Sequence, residues 1–326
     1  MLLFFHTKIL LINLVMSLYT HICYNATVIF QLMRKIFGRG CQINTTENTK
    51  KREKGVLVYP VYSRRSEGLS VGINLFPDKK LCSFDCPYCE VFPFSANAVF
   101  CQEQMENDLR TTIADCLKQN LTIKDICFSG NGESTMSLDF PEALERASRV
   151  RSELAPSAGL VLITNGSGLL DKRLFSLLSE AATGSIGLDI WLKLDAGTPE
   201  WYDKMSRSNI QYKEIMEKIK EFAICAPVTI QTMVCAVDGE GPPPEESEDW
   251  ERVIVELATS AKKLKKVQIY GKARPSPEDP KTTALPVKFL EERAMSLRRA
   301  LVPATAPPVP QPPFPIPQPP TVEVFP

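Results

Sequence analysis

Histidine is nearly absent from this chain. Only His6 and His21 occur, both within the first thirty residues, so everything after them lacks an imidazole to ligate a metal or relay a proton. A second C-x2-C pair is missing as well. The ten cysteines contain one tight run and nothing to complete it, which removes the usual four-ligand zinc layout. An excess of charge is also lacking: 38 basic residues balance 38 acidic ones, which argues against a protein that grips nucleic acid by bulk electrostatics. No apolar run reaches the ~20 residues of a membrane span, and the least interrupted one, residues 9–19, falls well short. Cysteine is too sparse over 326 residues for a secreted disulfide framework, so the chain reads as cytoplasmic.

What is present divides into four stretches. Residues 1–54 form an apolar leader followed by a polar linker, NTTENTKKREK; the leader is either the product of an early start codon or a weak membrane-contacting segment. Residues 55–275 carry a regular alternation. Strand-like runs at 69–75, 122–129, 159–164, 186–194, 228–237 and 266–270 are separated by helix-like runs at 98–119, 140–154, 172–181, 212–224 and 250–264. Near-continuous apolar strands joined by helices predict parallel pairing through right-handed crossovers, in six units. Residues 238–249 are an acidic, proline-rich excursion. Residues 276–301 form a helical extension, and residues 302–326, dense in proline, are expected to form neither helix nor sheet.

The chemistry concentrates in Cys82-Ser-Phe-Asp-Cys86-Pro-Tyr-Cys89, a C-x3-C-x2-C run delivered by the first of the six strands. Thiolates select soft centres such as zinc or iron–sulfur clusters, and three without a fourth point to a cluster with one open position. The competing readings are buried small hydrophobes or an incomplete zinc knuckle.

C-x3-C-x2-C with an aromatic, Tyr88, before its last cysteine resembles the radical S-adenosylmethionine (SAM) superfamily. The resemblance covers about residues 55–275 and implies a partial (β/α)6 TIM-like barrel. It also implies a [4Fe–4S] cluster on Cys82, Cys86 and Cys89, whose fourth iron is chelated by SAM. One electron from such a cluster splits SAM into methionine and a 5′-deoxyadenosyl radical, so an electron donor such as flavodoxin or ferredoxin is the implied partner.

Ligand groups of a parallel barrel collect at the C-terminal strand ends. At the second end, Gly130, Asn131, Gly132 and Glu133 stand where that superfamily holds the SAM amino group, with its backbone and a carboxylate. Here Asn131 separates the glycines. The third end offers Thr164 and Asn165 to the ribose. The fourth offers Lys193 and Asp195, two apart and so on one side of the strand, read as SAM or substrate contacts ahead of a structural ion pair. The sixth offers Tyr270, with Gly271 beside it for a close approach to adenine. Arg207 is a further candidate for an anionic substrate, with an exposed salt bridge as its plainer reading. Cys127, Cys225 and Cys235 are expected to be packing residues.

The substrate is not written in these motifs. SVGINLFPDKKLCSFDCPYCE and FSGNGES look most like a branch that includes tRNA wyosine-base-forming enzymes, so a nucleotide in RNA is the first expectation. An activase that installs a glycyl radical on a partner protein is the alternative. A non-enzymatic zinc or electron-transfer protein is the reading from another class, and it leaves GNGES, TNG and LKLDAG without a role.

Overall fold

The computed structural model describes residues 55–261, 264–302 and 319–326. The apolar leader, the polar linker and most of the proline-rich tail lie outside the described residues.

Six strands run parallel and in sequence order: β2 (Gly68–Ile73), β3 (Ile123–Phe128), β4 (Gly159–Thr164), β5 (Leu188–Lys193), β6 (Val228–Ala236) and β7 (Leu264–Gly271). The helices between them are α1 (Gln102–Lys118), α2 (Phe140–Leu154), α3 (Lys172–Thr183), α4 (Pro199–Ser206), α5 (Tyr212–Cys225) and α6 (Pro244–Ala261), and α7 (Val287–Leu301) follows β7. The six-unit reading therefore holds. Period-2 side-chain alternation explains the layering. Ile126, Phe128, Leu160, Leu162, Ile190 and Leu192 join the main core together with Leu109 and Ile113 of α1, Leu144 of α2 and Phe222 of α5. Their sequence neighbours Cys127, Val161 and Trp191 form a separate small cluster on the opposite face. Each such fully buried Leu, Ile or Phe contributes roughly 1.5–3 kcal/mol, which the helices' apolar stripes supply in return.

Two strands flank this set. β1 (Val58–Ser63) pairs antiparallel with β2, Val58 opposite Ile73, and β9 (Thr321–Phe325) pairs parallel with β7, Lys266 opposite Thr321. The two edges do not pair with each other, so the sheet is a curled half-barrel. The β1–β2 turn nonetheless reaches across. Arg65 Nη1 donates to Gln231 Oε1 at 3.0 Å, Gln268 Nε2 donates to the Arg65 carbonyl at 3.3 Å, and Arg64 bonds the Pro326 carbonyl.

Three expectations change. The tail is not all outside regular structure: TVEVF, between Pro320 and Pro326, is rich in β-branched residues, buries Val322 and Phe325, and completes an edge of the sheet. The acidic excursion ends earlier than expected, because Pro244 sits in the first turn of α6, where a missing N–H is harmless. Cys225 is exposed at the end of α5, whereas Cys127 and Cys235 are buried as expected. Among the described residues no helix is long and apolar enough to cross a membrane.

Candidate functional site

The three cysteines lie in the loop after β2, at the C-terminal end of the sheet, and all three are free and half-buried. Asn74, at the strand's exit, fixes how the loop leaves. Its side chain donates to Val56 O (3.0 Å) and Phe76 O (3.3 Å) and accepts from the amides of Phe76 and Asn131, each at 3.1 Å. Leu81, next to Cys82, then forms a parallel bridge with Gly132: its N–H donates to Asn131 O at 3.1 Å and its carbonyl accepts from Glu133 N–H at 2.9 Å. Asn165 Nδ2, at the end of β4, donates to Ser83 Oγ at 3.0 Å and lies 3.6 Å from Cys82 Sγ. The ends of β3 and β4 thus hold the thiol loop.

Gly130, Asn131, Gly132 and Glu133 all have contacts within the fold. A Cβ at Gly132 would lie 2.6 Å from the Leu81 carbonyl carbon, so glycine is required for the loop to approach. At Gly130 a Cβ would press on Asn74. Asn131 is 1% exposed and donates to Phe76 O at 3.0 Å. The Glu133 carboxylate accepts from Thr135 N–H and Oγ1, from Thr164 Oγ1 at 2.9 Å and from Asn165 N–H at 2.7 Å. Burial outweighs these donors and pushes its pKa above the usual carboxylate value. In this conformation Glu133 is a buried latch between β3 and β4, with both oxygens engaged by the protein.

A second cluster fills the mouth beside the thiols. Lys193 Nζ is 3.0 Å from Asp195 Oδ1 and bonds the Tyr270 hydroxyl, while Tyr88 OH donates to Asp195 Oδ2. The ammonium also lies over both rings, 4.7 Å from the Tyr88 centroid and 4.6 Å from that of Tyr270. Lys193 and Asp195 are thus partners of each other, the ion pair that was the second of their two sequence readings, and the pair stands at the mouth of the barrel. Burial lowers the Lys193 pKa, but Asp195 and then Tyr270 outweigh it, and the net shift is upward. Burial, followed by Asp195, drives Tyr88 well above the usual tyrosine value; burial raises Tyr270 as well.

A cavity of about 20 Å³, the size of one water, lies among Phe84, Asn165, Lys193, Asp195, Tyr202 and Ser206. Gly271 faces Leu290 of α7 and Pro326 rather than an open site, with its Cβ position 3.2 Å from Leu290. Arg207, at a left-handed φ of 47°, is ion-paired with Asp279, the plainer of its two readings.

Burial pushes the Cys82 thiol up to about 11 and raises Cys86 further. Among the described residues no three His, Cys, Asp or Glu side chains are gathered around a point that could hold a single metal ion. Thiolates on separate irons of a cubane stand farther apart than ligands of one ion. A half-buried, wholly thiol donor set next to a pocket with no imidazole fits an iron–sulfur group on chemical grounds.

Sequence reasoning missed Asn74, Ser83, Glu246 and Trp250. Glu246, fully buried, accepts from Gly197 N–H and Thr198 N–H, each at 2.8 Å, and Trp250 Nε1 donates to Leu194 O at 3.2 Å, so α6 clamps the chain just past Asp195. Asn74 alone carried a signal, a polar residue interrupting an apolar strand three positions before a Pro-Asp turn.

The architecture is a curled α/β half-barrel. It is similar to a radical SAM methyltransferase from Sphaerobacter thermophilus, with a TM-score of 0.54 at 16% identity over 76% of this chain and 68% of that one. Archaeal TYW1 matches at a TM-score of 0.42 and 12% identity, over 85% of this chain and 90% of that one. In sequence the chain is 30% identical over 179 residues to a UPF0026 protein of Helicobacter pylori strain J99, and 27% identical over 186 residues to the UPF0026 protein slr1464 of Synechocystis. The match to the first spans about half of each protein, 53% of this chain and 53% of the relative. No family model matches the chain.

Proposed function

We propose that this chain is a radical SAM enzyme acting in a reducing, cytoplasmic setting. The observation that carries the reading is the three-cysteine loop on the first parallel strand of the half-barrel, tied down by Leu81–Gly132 and by Asn165 at the two neighbouring strand ends. Cys82, Cys86 and Cys89 would hold a [4Fe–4S] cluster. SAM would meet Thr164, Asn165, Asp195 and Tyr88, with Glu133 supporting them from behind. When bound, the pair supplies reductive cleavage of SAM to methionine and a 5′-deoxyadenosyl radical, which removes hydrogen from a substrate; the electron would come from a donor such as flavodoxin or ferredoxin.

The chain's own share is binding, orientation and exclusion of water. Asn165 sets Ser83 and the rim of the thiol loop. Asp195, held by Met233 N–H at 2.7 Å as well as by Lys193 and Tyr88, keeps one acceptor fixed at the mouth. Lys193 keeps its proton at neutral pH, so a proton donated there comes from a tyrosine–lysine pair and not from a histidine.

For the substrate we place a nucleotide in RNA first, on the sequence resemblance, and a partner protein receiving a glycyl radical second. The rim charges temper the first: Lys80, Arg207 and Arg274 all face carboxylates. Phosphate contacts would add little there, and selection would fall to Lys193, Tyr88 and Tyr270.

The test is anaerobic iron–sulfur reconstitution, then incubation with SAM and dithionite while 5′-deoxyadenosine is quantified, with Cys86→Ala as the control. Formation that the control abolishes supports the reading. A protein that takes up zinc and leaves SAM intact overturns it.

A further inference from the structure

Residues 272–285, between β7 and α7, cross the thiol loop and are fastened on both sides of the three cysteines. Arg274 Nη2 lies 2.6 Å from Glu90 Oε2, one residue after Cys89. Glu278 Oε2 lies 3.5 Å from Lys80 Nζ, two residues before Cys82. Asp279 pairs with Arg207 at the end of α4, and Thr283–Ala284, here β8, pairs antiparallel with Cys235–Ala236 at the end of β6. Four anchors, two on the thiol loop, one at the end of α4 and one at the end of β6, place one strap over the end of the barrel where the thiols sit.

We propose that this strap is a gate, closed here, that controls entry to the thiol loop. Its fastenings suit that task. The pairs Arg274–Glu90, Lys80–Glu278 and Arg207–Asp279 each have a partner at least 39% exposed, so each is a screened surface pair that opens easily. The hydroxyl of Ser276, 3% exposed, has no hydrogen-bond partner among the described residues, so closure buries a polar group without satisfying it. β8 is only two residues long and gives the strap little sheet structure of its own. What passes the gate rests on the radical SAM reading; the gate itself does not.

The experiment uses the full chain, metal-free and anaerobic, and follows alkylation of each cysteine by iodoacetamide with mass spectrometry. The variants are Arg274→Gln with Glu278→Gln, and Asp279→Asn, which keeps the acceptor that caps Thr282 N–H. Exposed Cys101 and buried Cys116 serve as internal references. The gate predicts that Cys82, Cys86 and Cys89 react roughly three- to tenfold faster in the double variant, and faster in the native chain at about 0.5 M salt, with Cys101 and Cys116 unchanged. Unchanged rates at the three thiols overturn it, and so does a parallel rise at Cys116, which signals general loosening. Because no SAM chemistry is read, loss of 5′-deoxyadenosine formation would refute the proposed activity and leave this result standing.

Discussion

Replacing Gly132 by alanine separates two roles for the GNGES turn. If the glycine serves a ligand, the ligand-free protein should not notice the change. If it lets the cysteine loop dock, the cost appears in the empty fold. The added Cβ falls 2.6 Å from the Leu81 carbonyl carbon and closer still to its oxygen; both are backbone, with no flexible end to move aside. Overpacking of this kind costs about 1–3 kcal/mol. Separating the strands also strains Leu81 N–H to Asn131 O and Glu133 N–H to Leu81 O, each a contribution of about 0.5–1.5 kcal/mol. The expected loss is about 2–4 kcal/mol, or ~4–16 °C in Tm for a domain of this size. Urea unfolding of metal-free protein, followed by circular dichroism, measures it. A Gly132→Ala protein within about 0.5 kcal/mol of the native one would refute the docking role, since that is the ordinary scatter of neutral surface substitutions.

Lys193→Met leaves Asp195 buried without its cation and should cost about 3–5 kcal/mol in urea unfolding, whereas Lys193→Met with Asp195→Leu should recover much of it; a fully additive double variant would show that the pair is not coupled. Lys193 binds its proton more tightly folded than unfolded, so its contribution is complete below the ordinary value of 10.5 and is lost as pH rises through the higher folded value. Native stability should therefore fall more steeply than that of Lys193→Met in alkaline urea titrations. Glu133→Gln turns one acceptor into an NH2 facing the donors of Thr164, Thr135 or Asn165, and should cost about 1–3 kcal/mol at neutral pH by the same assay. Val322→Asp puts a carboxylate into the β7–β9 contact and should lower Tm by several degrees, an outcome a loose tail would not show.

Local patterns were readable because they depend on few neighbours. The six parallel strands came from runs such as GLVLIT and IGLDIWLKL, and helix bounds such as Phe140–Leu154 and Tyr212–Cys225 fell within a residue of their periodic patterns. β9 was missed because the surrounding prolines set the reading of the whole tail, although TVEVF itself has none. The short helix Pro199–Ser206 was missed because eight residues give barely two turns of periodicity.

The sequence by itself determined the thiol triplet, the parallel alternation and which residues stand at the strand ends, since each follows from spacing along the chain. Only the tertiary structure decided what those residues touch. Gly132 meets Leu81 across 51 positions of sequence, Lys193 finds Asp195 and Tyr270, and the strap after β7 meets Lys80 and Glu90 beside the first parallel strand. Side-chain type and period place a group on a face. Whether that group answers to a ligand or to the fold depends on which charges and carbonyls the curled sheet brings into contact with it, and no linear pattern records that.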